Sequence, residues 1–194
     1  MDPIPSRNTR LAQRRADFAS VPEMLDYAAQ GQTGISFYNA KGDLLSALTW
    51  REVRERAQVT ARKLIGAGFA VGERLLITAD TWPGFFDSFF GAQYAGLVPV
   101  PVSIPVGIGG KDAYLDQLRR QLFASGAVAA LGIDDLAGFL ADAAREFPAV
   151  RLHGGKDAID ALPEKPVDLR PLGPADLSYI QFSSGSTRHP HGVQ

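Results

Sequence analysis

RLLITADTWPGFFDSFFGAQYAGLVPVPV, residues 74–102, decides the fold. It opens with a short apolar run (Arg74–Ala79), passes through Pro83 into a Phe-rich stretch that closes near Gly96, and resumes as a second apolar run (Leu97–Val102). Short apolar runs of this kind read as strands. Pro83 fits the first turn of a helix and Gly96 fits its end. A strand, a helix and a strand in that order form a crossover, and right-handed crossovers build a parallel sheet.

The alternation extends outward. Downstream the spacing predicts a helix over about Asp112–Ala124, a strand over Val128–Ile133, a helix over about Asp135–Phe147 and a strand over Ala149–His153. Upstream it predicts a helix around Val21–Ala29 and a hairpin in ISFYNAKGDLLSALTW, residues 35–50, turning at Lys41, Gly42 and Asp43. Thr49 and Glu52 stand at capping-box spacing, and Val53, Ala57, Ala61, Leu64 and Ile65 then repeat at helical spacing up to Gly66 and Gly68. The expectation is an α/β fold with a largely parallel sheet flanked by helices. Pro163, Pro166, Pro171 and Pro174 mark an extended connection into a last strand, Leu177–Phe182. No internal repeat or domain boundary stands out within residues 1–194.

Composition narrows the function classes. The 194 residues are 45% hydrophobic and 21% charged, as in ordinary globular domains. Twenty Lys plus Arg against 21 Asp plus Glu leave no positive field for phosphate backbones, which argues against nucleic acid as a partner. No charge occurs from Ser88 to Gly110, but Pro99, Pro101, Pro105 and several glycines prevent that stretch from satisfying its backbone as one lipid-spanning helix. MDPIPSRNTRLAQRR, residues 1–15, has no apolar core of a signal peptide, so the expected location is cytoplasmic. There is no cysteine, hence no disulfide or thiolate chemistry.

Several candidate motifs dissolve on inspection. GAGFAVG, residues 66–72, follows a helix and precedes a strand, the reverse of a phosphate-cradling turn. VGIGG, residues 106–110, reads as a loop, and His153, His189 and His191 have no metal-ligand spacing. Neither a nucleophile elbow nor a Walker loop is present. SSGSTRHPHG, residues 183–192, is different, because it follows an apolar strand and collects small hydroxyl residues around Gly185. Successive backbone N–H groups in such a loop can converge on an anion, and the Arg188 guanidinium suits phosphate oxygens. The bland alternative is a polar Ser/Gly turn.

The longer string LSYIQFSSGSTRHPHGV, residues 177–193, resembles the ATP-phosphate loop of the acyl-adenylate-forming ligases, which include acyl-CoA synthetases, luciferases and nonribosomal-peptide adenylation domains. The family pattern is a strand followed by T-S-G-[ST]-T-G-x-P-K-G. Ser183, Ser184, Gly185, Ser186, Thr187, Pro190 and Gly192 match it in type and spacing. LTWREVRERAQ (48–58), GFAVGERLLI (68–77) and GAQYAGLVPVPV (91–102) resemble earlier family segments in the right order. Arg188 stands where the common pattern has glycine, and His191 where it has lysine. S-G-S-T-R, PVPVSIP (99–105) and YLDQLRRQLFASGAVAAL (114–131) resemble the fatty acyl-AMP ligase branch.

That resemblance implies a two-step reaction. A fatty acid carboxylate attacks the α-phosphate of ATP, with magnesium, to give an acyl-adenylate and pyrophosphate; the acyl group then passes to an acyl carrier protein or a synthase carrier domain. Ser183, Ser184, Gly185, Ser186, Thr187, Arg188 and Gly192 would hold the phosphates, and no acid, base or metal ligand is expected here. It also implies that residues 1–194 are the front part of the large N-terminal domain, ending just past the loop and inactive alone. A fatty acyl-CoA ligase and a non-catalytic nucleotide- or partner-binding module are the alternatives.

Overall fold

The computed structural model describes residues 4, 11–104, 110–182 and 192–193. Helix α1 (Val21–Ala28) begins at Ser20, whose hydroxyl accepts from the Glu23 N–H. The hairpin follows as β1 (Gly34–Tyr38) and β2 (Leu44–Thr49), paired antiparallel. Helix α2 (Trp50–Gly66) starts with the anticipated capping box: Glu52 N–H donates to Thr49 Oγ1 at 3.2 Å, and Thr49 N–H donates to Glu52 Oε2 at 2.7 Å.

The main sheet is parallel, in the order β4-β3-β5-β6. Its strands are β3 (Arg74–Ala79), β4 (Val98–Ser103), β5 (Ala129–Leu131) and β6 (Leu152–Gly154). Helix α3 (Pro83–Tyr94) joins β3 to β4, α4 (Gly110–Ser125) precedes β5, and α5 (Ala137–Ala144) precedes β6. Alternate residues of each strand point to opposite faces. Leu75, Ile77, Ala129 and Leu131 pack with Val53, Ala57, Ala61 and Leu64 of α2 and Phe90 of α3. Leu76, Val100, Val102 and Ala130 pack with Leu118 and Leu122 of α4 and Leu140 of α5. Two covered faces are why these strands read as uninterrupted apolar runs.

Three helices meet at one polar node. Tyr94 Oη donates to Asp26 Oδ1 at 2.6 Å, and Arg54 Nε donates to the same oxygen at 2.5 Å. Burial, and then the bond to Asp26, holds the Tyr94 hydroxyl well above the usual tyrosine range.

Several expected elements differ. The helix expected over Asp135–Phe147 is a 3₁₀ turn (Asp134–Leu136) followed by α5, which ends at Ala144. The strand expected over Ala149–His153 starts only at Leu152, because Val150 N–H turns back to Phe147 O after Pro148. A short helix α6 (Lys156–Asp160) follows β6 and was not anticipated. The last strand is regular only as β7 (Gln181–Phe182), and it pairs antiparallel with β8 (Gly192–Val193). No helix among the described residues is long and apolar enough to cross a membrane.

Candidate functional site

Parallel α/β sheets bind ligands outside the carboxyl ends of their strands. Residues 177–182, which lead into the proposed loop, run towards that end of β4. Arg170 N–H donates to Tyr94 O and Leu172 N–H to Gln93 O, so the proline-rich connection is tied to the last turn of α3. Gln93 Nε2 then donates to Ser178 O at 3.2 Å, and Ile180 N–H donates to Pro99 O at 3.1 Å. These contacts carry the segment forward in the direction of β4. Ile180 and Phe182 pack on the cluster containing Val100 and Val102, while the Tyr179 ring lies 6.0 Å from that of Phe89 on the other side.

The ends of the candidate loop meet across the short ladder, with Phe182 opposite Gly192 and Gln181 opposite Val193. Of the predicted phosphate-loop residues, Gly192 is thus located, by its backbone in β8. Ser183, Ser184, Gly185, Ser186, Thr187 and Arg188 lie outside the described residues, as do His189 and His191.

Around the carboxyl ends of β3 and β4 the described side chains include the exposed Asp80, directly after β3, and several neutral donors and acceptors. Thr78 is fully buried with no partner for Oγ1, and the buried Tyr114 Oη also lacks one. Burial alone pushes the Tyr114 hydroxyl up to about 12, so it is a neutral donor at physiological pH. Gln117 Nε2 lies 3.5 Å from Ser103 Oγ. Among the described residues, no group of three His, Cys, Asp or Glu side chains could hold a metal ion. The exposed His153 on β6 is not part of such a group.

A groove of about 370 Å³ lies at the amino ends of the strands, lined in part by Arg74 and Val98, the first residues of β3 and β4. Its one cation among the described residues is already engaged. Arg74 donates to the carbonyl oxygens of Ser125, Gly126 and Gly72, which leaves it poorly placed to receive a substrate anion.

Sequence reasoning missed Gln93, although a signal was present: a lone amide inside the apolar run GAQYAGL, residues 91–97. A fully buried polar group in such a run needs a partner, and here the partner is the backbone leading to the loop.

The profile of the family described as AMP-binding enzyme matches residues 25–194. The chain belongs to the AMP-binding enzymes. A protein of Caulobacter vibrioides provisionally named an acyl-CoA synthetase is 40% identical to this member over 93% of the chain and 31% of its own length. The long-chain-fatty-acid–AMP ligase FadD28 of Mycobacterium bovis is 31% identical over 75% of the chain and 25% of its own length. A solved structure from work on the fatty acyl-adenylate ligases of E. coli and L. pneumophila superposes with a TM-score of 0.87 at 35% identity, over 94% of this chain and 33% of that one. The chain spans between a quarter and a third of the length of these relatives. The family and the parallel α/β fold agree with the expectations from sequence.

Proposed function

We propose that this chain contributes the ATP-phosphate loop of a fatty acyl-AMP ligase, an enzyme that couples a fatty acid to ATP and releases pyrophosphate. The reading is carried by residues 183–192, whose motif follows a segment that runs along β4 towards the carboxyl end of the sheet. Likeness to fatty acyl-adenylate ligases in both sequence and structure supports it.

The first step brings a carboxylate up to a polyanion, so its barrier falls when fixed donors surround the phosphates as charge moves onto pyrophosphate. Backbone N–H groups around Gly185, the hydroxyls of Ser183, Ser184, Ser186 and Thr187, and the Arg188 guanidinium would supply them. Gly192 would close the loop. These groups orient and neutralise; none is asked to move a proton. Magnesium would enter as the ATP complex. The acyl group would then pass to a carrier-protein thiol. Residues 1–194 correspond to the N-terminal portion of the adenylate-forming domain and make no product alone.

The acyl-CoA synthetase name of the Caulobacter relative favours a second reading, in which CoA accepts the acyl group. Mass spectrometry of the full-length protein with fatty acids, ATP, magnesium and CoA separates the two, with the 194-residue chain as control. Acyl-AMP that accumulates beside CoA supports the adenylate ligase, and acyl-CoA supports the synthetase. No product with any acid overturns both in favour of a binding module, while acyl-AMP from the control overturns the inactivity of the short chain.

A further inference from the structure

Pro99 and Pro101 make the outer edge of β4 unusual. Val98 N–H donates to Glu73 O, so Val98, Val100 and Val102 direct their N–H groups towards β3. The alternate positions face outward, and the first two, Pro99 and Pro101, have no N–H to offer. Up to Ser103, that edge presents acceptors only. One of them, Pro99 O, takes the Ile180 N–H.

An edge of this kind fixes direction better than register. Side chains alternate with a period of two, so moving the segment by two residues along β4 keeps Ile180 and Phe182 on the same face and brings another N–H to a proline carbonyl. Such a slip would displace everything that follows by about 6–7 Å. Something other than the ladder must choose the register.

Gln93 is placed to choose it. Its side chain is fully buried at the end of α3, and Nε2 donates to Ser178 O at 3.2 Å and reaches Ser178 Oγ at 3.5 Å. The Ser178 carbonyl can only accept, so the amide must present its NH2 group there, leaving Oε1 without a partner. The Gln93 carbonyl meanwhile accepts from Leu172 N–H at 2.9 Å. Leu172 and Ser178 are therefore fixed to one residue, and the chain between them has a set length that a slip would have to change.

We propose that Gln93 is a positioning residue for ATP phosphate binding: it selects the register of the strand leading into residues 183–188 and so sets where that loop stands. This rests on the reading of those residues as the phosphate loop.

The test uses the full-length protein in ATP–pyrophosphate exchange. Gln93→Leu keeps the volume and removes the amide. The expected result is a KM for ATP raised roughly 10- to 100-fold, as for a displaced binding group, with the KM for the fatty acid unchanged. Gln93→Asn, one methylene shorter, is expected to show a smaller rise. An unchanged KM for ATP, or equal losses for ATP and acid, overturns the proposal. Arg188→Ala runs in parallel: if it leaves the KM for ATP unchanged, the phosphate-loop reading fails; if it raises that KM while Gln93→Leu does not, only the role of Gln93 fails. Should Gln93→Leu not fold, hydrogen exchange in Gln93→Asn decides. Faster exchange at residues 179–182, with β3 unchanged, supports the proposal, and wild-type protection there overturns it.

Discussion

Replacing Gly91 by alanine sets two effects against each other. Gly91 lies inside α3, where Gly to Ala ordinarily stabilises a helix by about 1 kcal/mol. Here, however, a Cβ would stand 2.7 Å from Thr60 Cγ2, 2.8 Å from Thr60 Cβ and 3.1 Å from Ala57 O. Thr60 is buried in α2 and β-branched, and Ala57 O belongs to the helix backbone, so neither can swing aside. The helices must part slightly. Overpacking of this kind costs about 1–3 kcal/mol, which exceeds the propensity gain and leaves Gly91→Ala destabilised by roughly 1 kcal/mol. For a chain of this size that lowers Tm by about 2–4 °C. Urea unfolding of wild type, Gly91→Ala, Thr60→Ala and the double variant measures it directly. Thr60→Ala removes the nearest colliding atom, so the double variant should be more stable than the sum of the singles by at least about 0.5 kcal/mol. A stabilised Gly91→Ala, or strict additivity, would refute the close-packing argument.

Three other substitutions test the core, the α2 cap and the proposed phosphate loop. Leu64→Ala empties a fully buried position between α2 and the sheet and should cost about 2–5 kcal/mol in urea unfolding. Thr49→Ala breaks the capping box and should cost about 0.5–2 kcal/mol. The bonds from Thr49 N–H and Oγ1 hold the Glu52 carboxyl below its ordinary 4.5, so that contribution is complete above this pH and is lost as pH falls through the lower folded value. The stability gap between wild type and Thr49→Ala should therefore narrow in acid. If residues 183–192 are the phosphate loop as proposed, Arg188→Ala in the full-length protein should weaken ATP binding by about tenfold or more in equilibrium titration, through loss of a charge-assisted phosphate contact.

The central fold was legible because its signals agreed with one another. Residues 74–131 alternate apolar runs with helical periods, and burial on both faces leaves no polar alternation to confuse them. Thr49 and Glu52 announced the start of α2 through local chemistry alone. The failures have local causes too. Val150 and Leu152 suggested a strand, but Pro148 starts a turn that uses the Val150 N–H, and extended pairing begins only afterwards. Helix α6 is too short to show a period. Residues 177–182 looked like one strand, yet proline at alternate positions of the neighbouring edge leaves no donors for a full ladder, and the regular pairing is with β8. The candidate loop could be read only as a motif, whereas Gln93 escaped because its partner is distant in sequence and belongs to the backbone.

The central position of β3 also shapes how the chain reaches its fold. Arg74 finds Val98 across a single helix, whereas Leu75 finds Ala129 only after a further strand and helix have been made. Closing the shorter loop loses less chain entropy, so the β3-α3-β4 unit is the cheaper nucleus, and β5 and β6 then add to an edge already formed. Substitutions at Ile77 should accordingly slow refolding, while those at Leu140 should act mainly on unfolding.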